Sequence, residues 1–338
     1  MGIGFYKILP NDVIVNVEYV VQFCIIDLCT SQRLIMKKPF LFYRKLKVDF
    51  CKEYFALLLI IFSFSSCQKS PLELIVPEKE IEITLPKLSY EDRRDLSYGS
   101  NPYQKYDLFL PNLRNTRNPV IVLLHGGAWR LSDKNSLNFV AVILKNKRVN
   151  CAIVNANYRL ASPAFKVSYR EQVEDIGKLL HKIAADSKDL GIGKQFYLVG
   201  MSSGGHLSLL YTATADDDHL VSGIGGIAAP IDLTNQQIRE GIIGYDIQKL
   251  IGKTYLEAPE EYKNASPIYH YTRRKIPTIL FYGGKDNIVT PDQSTMAKLA
   301  ISTKLPCNEF YHYPDQSHEW SVWSETLDKM ISFAERNL

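Results

Sequence analysis

At 338 residues, with 46% hydrophobic and 22% charged side chains, the chain has a globular composition and can bury a core without a metal or disulfide staple. Its formal net charge of +4 is unevenly placed: residues 1–66 carry eight Lys/Arg against five acids, which leaves 32 against 31 for the remainder. So balanced a remainder gives no electrostatic case for a nucleic-acid partner.

The first segments in chain order do not read as a folded domain. From Met36 the sequence runs "MKKPFLFYRKLKVDFCKEYFALLLIIFSFSSCQKS", with six Lys/Arg and two acids before an eleven-residue apolar run, Tyr54 to Phe64. That length suits the core of a signal peptide and is too short to span a bilayer as a helix. Ser65 and Ser66 then lead into Cys67. The stretch resembles a bacterial lipoprotein signal, with Ser-Ser in place of the commoner Ala-Gly. That resemblance implies a lipidated Cys67 as the first mature residue, and a protein exported and anchored to a bacterial membrane on its periplasmic or surface side. An ordinary cleaved signal or a signal anchor is the alternative. Residues 1–35 fit no signal pattern, because Asp12, Glu18 and Asp27 interrupt every apolar run; Met36 is therefore a candidate start codon. We read 1–66 as an N-terminal extension with its signal peptide. Residues 67–97, with Pro71, Pro77 and Pro86 among charges, read as a tether and entry to the fold.

From 98 to 338, strand-like runs recur: "YDLFLP" (106–111), "PVIVLLH" (119–125), "CAIVNANY" (151–158), "QFYLVG" (195–200), "GIGGIAAP" (223–230), "TILFYGG" (278–284) and "NEFYHYP" (308–314). Several are apolar without a break, as strands covered on both faces of a parallel sheet must be. Between them lie helical stripes: Val173, Ile176, Leu180 and Ile183, then Trp323, Leu327, Met330 and Ile331. The alternation predicts an α/β fold with a doubly wound, mostly parallel sheet, and ligands at the C-terminal ends of its strands. Residues 233–272 are too long for a simple crossover and read as a small cap insertion, its tyrosines (245, 255, 262, 269 and 271) mainly packing residues. Beyond Cys67, the cysteines of the mature chain are Cys151 and Cys307, both in apolar runs. Without clustered Cys and His there is no metal motif, so two buried, reduced thiols are expected and no metal or organic cofactor is implied.

"GMSSG" (200–204) follows an apolar strand and precedes a helix. It matches G-x-S-x-G, in which the central serine sits on a sharp strand-to-helix turn and the flanking glycines make room for it. Only Ser202 has glycine at both −2 and +2; for Ser203 the −2 position is Met201. Ser202 is the candidate nucleophile, and Ser203 offers its backbone N–H to an oxyanion hole. "LLHGGAW" (123–129) closes another apolar strand with two glycines, which let backbone N–H groups approach a ligand. With "NANYRL" (155–160) and "GMSSGGHL" (200–207), in that order, it resembles the α/β-hydrolase esterases with an HGGxW loop, among them bacterial acetyl and feruloyl esterases and kynurenine formamidases. The resemblance runs from about Tyr98 to the C-terminus. It implies that Gly126 and Gly127 supply further oxyanion donors, while His125, Trp129 and His206 hold structure.

A serine hydroxyl needs a base, and the base an acid to fix its tautomer. The family order is Ser, then Asp or Glu, then His. Asp286 directly follows "TILFYGGK" and is the expected acid; Asp292, after Thr290-Pro291, reads as a helix cap. His312 alternates with tyrosines inside the last strand, whereas His318 lies on the turn beyond it, so His318 is the expected base. Asp315 is the runner-up acid. The whole pattern points to a serine carboxylic-ester hydrolase for short, acetyl-type esters, small or carbohydrate-borne. An amidase of arylformamidase type would use the same machinery. A noncatalytic binding protein of this fold would usually lack the serine or the histidine, and a prolyl-oligopeptidase-type enzyme would need room for a propeller.

Overall fold

A computed structural model describes residues 87–270, 276–302 and 308–337. The signal-type stretch, Cys67, the tether and Cys307 lie outside the described residues. Eight strands form one sheet: β1 (Tyr90–Ser97), β2 (Lys105–Pro111), β3 (Val120–Leu124), β4 (Ile153–Ala156), β5 (Phe196–Met201), β6 (Val221–Ile227), β7 (Thr278–Gly283) and β8 (Glu309–Tyr313). Their spatial order is β1-β2-β4-β3-β5-β6-β7-β8, with β2 antiparallel to both neighbours and every pair from β4 to β8 parallel.

The continuous apolar runs are explained by what covers them. Along β3, Val120, Val122 and Leu124 belong to one core cluster, while Ile121 and Leu123 belong to the other. Phe196 and Leu198 alternate with Tyr197 and Val199 in the same way. The first cluster includes residues of α2 (Tyr169–Leu190), α3 (Ser203–Thr214) and α7 (Pro291–Ser302); the second includes α1 (Asn138–Asn146) and α8 (Trp323–Asn337). Because side chains alternate across a strand, helices on both faces demand apolar residues at every position. Val173, Ile176, Leu180 and Ile183 of α2 are all buried, as their spacing predicts. That helix begins at a capping box, Ser168 with Glu171, and stops at Gly191, which takes φ 65°.

One strand is absent from the sequence reading. β1 lies within the stretch read as tether and entry, so the sheet starts at Tyr90 rather than beyond 98. Its sequence, YEDRRDLS, carries no apolar alternation: Tyr90, Arg93 and Leu96 are the half-buried positions, and the register slips between Arg93 and Leu96. A bulged edge strand needs neither face fully covered, so charge dominates it.

Between β6 and β7 lie three short helices, α4 (Gln236–Glu240), α5 (Gly244–Ile251) and α6 (Pro259–Asn264). Of the expected packing tyrosines, Tyr262 is buried, Tyr255 is half-buried, Tyr245 and Tyr269 are exposed, and Tyr271 lies outside the described residues. The insertion is bound to the sheet's C-terminal crest at several points. Arg130 pairs with Asp246 at 2.5 Å, Arg170 with Glu261 at 2.6 Å, and His206 bonds the Ala265 carbonyl at 2.8 Å.

Candidate active site

Ser202 joins β5 to α3 with φ 53° and ψ −121°, a conformation an L-residue adopts only under constraint. The constraint is visible. Its N–H donates to the Ile227 carbonyl at 2.7 Å, and its carbonyl receives the His206 N–H at 3.0 Å. The flanking glycines let the backbones touch: a Cβ on Gly200 would lie 2.4 Å from the Gly204 carbonyl group, and one on Gly204 only 2.0 Å from the Leu124 carbonyl oxygen.

The structure brings Ser202, His318 and Asp286 together from the ends of three different strands. His318 Nε2 is 3.1 Å from Ser202 Oγ, and His318 Nδ1 is 2.9 Å from Asp286 Oδ2. Asp286 is buried, and its second oxygen accepts the Ile288 and Val289 N–H groups at 2.9 Å each. A carboxylate held this way only accepts, so Nδ1 of the neutral ring carries the proton. Nε2 is thereby left bare, as an acceptor for the serine hydroxyl.

The alternatives weighed on sequence fall elsewhere. His312 is exposed on β8, opposite Tyr282. Asp315 is exposed and pairs with Lys285 at 2.8 Å. Asp292 sits in the first turn of α7.

The loop after β3 closes against the serine. A Cβ on Gly126 would lie 3.3 Å from both Ser202 Cβ and the Met201 carbonyl oxygen, so the loop backbone is in contact with Ser202. Gly127, Ala128 and Trp129 take φ of 113°, 48° and 64° in succession. Three positive φ values in a row, one on a tryptophan, need strong surroundings. Trp129 is fully buried, and its Nε1–H donates to His206 Nδ1 at 3.0 Å. Its carbonyl accepts from Ala161 N–H and Gln172 Nε2. Burial lowers the His206 pKa to about 4, so this ring stays neutral, with Nδ1 accepting from Trp129 and Nε2–H donating to Ala265. His125 is likewise held below its ordinary value by burial. It stacks on Tyr158 at 4.3 Å and bonds the Gly126 carbonyl at 2.6 Å through Nδ1. Both histidines are therefore structural. The N–H groups of Gly126, Gly127 and Ser203 donate to no acceptor among the described residues. For Ser203 the reason is general, since the first residue of a helix has no partner one turn back.

Several supporting residues escape sequence reading. Asp175, fully buried on α2, accepts from the Arg159 guanidinium, the Arg159 N–H and Gln104 Nε2. Gln172 bonds two carbonyls of the crest loops, those of Trp129 and Arg159. The sole signal for them is a polar side chain on the buried stripe of a helix, which by itself names no partner.

An eight-stranded sheet with one antiparallel strand near its edge, a strained serine on the β5–α3 turn and a Ser–His–Asp chain at the strand ends define the α/β-hydrolase class. Within that class the chain belongs to the BD-FAE family, an α/β-hydrolase esterase family whose model matches residues 106–301. It is 26% identical over 220 residues to esterase LipC of Mycobacterium tuberculosis, covering 61% of this chain and 54% of that protein. The chain thus spans about half the length of the curated relatives it matches. Among solved structures, a bifunctional GH43-CE from Bacteroides eggerthii superposes with a TM-score of 0.63 at 22% identity, over 73% of this chain and 38% of that one. Esterase B from Lactobacillus rhamnosis superposes with a TM-score of 0.58 at 19% identity, over 72% and 86%. At such identities these two likenesses establish the fold.

Proposed function

We propose that the protein is a serine carboxylic-ester hydrolase acting on short, acetyl-type acyl esters of small or carbohydrate-borne alcohols. The observation that carries the reading is the unbroken chain Ser202 Oγ–His318–Asp286, with links of 3.1 and 2.9 Å, on a strained elbow. Ser202 attacks the acyl carbon as His318 Nε2 takes the hydroxyl proton, and Asp286 stabilises the imidazolium. The carbonyl oxygen becomes an oxyanion facing the N–H groups of Gly126, Gly127 and Ser203. His318 then protonates the leaving alcohol. Water, activated by the same histidine, releases the acid and restores the serine.

The short-acyl preference rests on the insertion. A surface opening onto fat would need a broad apolar face, since each buried methylene contributes only about 0.8 kcal/mol. Here the exposed rings sit beside cations: Tyr245 between Arg130 and Lys249, and Tyr269 beside Lys263. Ile242 and Leu256 are exposed as well, but among "NQQIRE" and "EAPEEYKN" they supply too little apolar area for a lipase mouth.

The test is kcat/KM on esters with acyl chains of about two to sixteen carbons, beside feruloyl and formamide substrates, spanning the range that apolar burial can discriminate. We expect a maximum at the shortest chains. A maximum at long chains discards the acyl preference, and a formamide maximum replaces the ester reading with the amidase one. Ser202→Ala should abolish turnover on the best substrate, whereas Ser203→Ala, which keeps its backbone N–H, should retain much of it; an active Ser202→Ala protein discards the mechanism.

A further inference from the structure

The three N–H groups assigned to the oxyanion are useful only if their peptides are held at fixed angles. Two of those peptides lie in a loop whose glycines impose little of their own. Bonds from neighbouring side chains hold them instead.

In a trans peptide the C=O and the following N–H point in opposite directions, so pinning the carbonyl aims the N–H. All peptide bonds in the described residues are trans. The peptide joining His125 to Gly126 carries the Gly126 N–H, and its carbonyl, that of His125, receives the Tyr158 hydroxyl at 2.8 Å. The peptide joining Gly126 to Gly127 carries the Gly127 N–H, and its carbonyl lies 2.6 Å from His125 Nδ1. A carbonyl only accepts, so the ring must be protonated at Nδ1, and its plane decides where the Gly127 N–H points. That plane is set by Tyr158, stacked on it at 4.3 Å and 8°. The third donor is on Ser203, whose Oγ is 3.3 Å from the same Tyr158 hydroxyl. The tyrosine proton is committed to the His125 carbonyl, so the serine hydroxyl donates to the tyrosine oxygen. Tyr158 is fully buried, and burial pushes its phenol pKa upward, which keeps it a donor.

From this geometry we infer that Tyr158 is the positioning residue of the oxyanion hole's loop: its hydroxyl orients the Gly126 N–H through the His125 carbonyl, and its ring orients the Gly127 N–H through the His125 imidazole. Tyr158 does not touch the substrate. It stands on the turn after β4, brought beneath the site by the strand that pairs with β3. The inference rests on the oxyanion assignment made under Proposed function.

Tyr158→Phe keeps the ring and removes the hydroxyl. Losing an oxyanion donor outright costs about a hundredfold or more in kcat, so misaiming one should cost about ten- to a hundredfold. We expect that loss in kcat on p-nitrophenyl acetate with KM nearly unchanged. Affinity for a trifluoromethyl ketone, which forms a tetrahedral oxyanion on the serine, should weaken by the same factor. Tyr98→Phe is the control: its hydroxyl donates at 2.7 Å to the Asn157 carbonyl in the same turn but reaches neither oxyanion peptide. It should lower Tm comparably and leave kcat intact. Wild-type kcat and inhibitor affinity in Tyr158→Phe would overturn the inference, as would an equal kcat loss in Tyr98→Phe. Should Tyr158→Phe fail to fold, His125→Ala, which removes the ring that pins the Gly126 carbonyl, carries the test: kcat about tenfold lower or more at nearly unchanged KM supports the clamp, and unchanged kcat overturns it. Ser202→Ala run alongside separates the two levels, since residual turnover there rejects the serine mechanism itself.

Discussion

A Cβ on Gly204 would lie 2.0 Å from the Leu124 carbonyl oxygen and 2.5 Å from that of His125, backbone atoms at the end of β3 and just beyond it. Backbone cannot yield as a flexible side chain can. Gly204→Ala should therefore cost more than about 4 kcal/mol, near the extreme for one methyl group. Denaturant midpoints, or the soluble yield if the variant does not fold, measure this. His206 allows a pH prediction at the same scale. Its pKa is about 4 in the folded protein, against an ordinary 6.5 unfolded. Between those values the unfolded chain binds the extra proton, so stability is whole above pH 6.5 and falls as the pH drops toward 4, by roughly 3 kcal/mol from this group. His206→Gln can still accept from Trp129 and donate to Ala265, so the slope of stability against pH over that window should flatten. An unchanged slope would locate the acid sensitivity elsewhere.

At the scale of elements, the crest is assembled by polar bonds between the turn after β4 and helix α2. Asp175 has no exposed surface and Arg159 little, and together they fasten "NANYRL" to the helix. Removing the arginine side chain leaves a buried carboxylate with only Gln104 Nε2 and one backbone N–H, so Arg159→Ala should cost about 3 kcal/mol. For a domain of this size that is a drop in Tm of roughly 6–12 °C. Thermal unfolding monitored by circular dichroism measures it. The parallel strands and helices α2 and α8 were legible in the sequence, the strands as unbroken apolar runs and the two helices as apolar stripes at helical spacing. β1 was not, since its half-buried positions fall three apart across a bulge and mimic neither period.

For the whole molecule, we propose that the N-terminal segment sets its placement in the cell. If Cys67 carries a diacylglyceryl group and an amide-linked chain, the mature protein partitions into detergent, because two anchors hold where one is marginal. Cys67→Ala should then stay in the aqueous phase or keep its precursor mass, and intact mass showing an unmodified mature N-terminus elsewhere would refute the anchor. In the folded domain Cys151 is buried and free, and burial pushes its thiol pKa far up, so it should resist alkylation until the protein unfolds.

Ser202 could be chosen from five letters because the elbow's demand is local: two glycines, two residues away on each side. Asp286 and His318 could be chosen because every strand of a parallel sheet delivers the loop at its C-terminal end to the same crest, whatever the distance along the chain. Chain order therefore stood in for geometry, and a separation of 116 positions between serine and histidine did no harm. The sequence alone determined seven of the eight strands, the two covered faces of the sheet and the candidate residues at its crest. The angles at which those residues are held were decided by the tertiary structure. Tyr158, Gln172 and Asp175 act through polar bonds to backbone or charge on other elements. A bond of that kind leaves no period in the sequence, since its partner is set by how two elements pack rather than by what either contains.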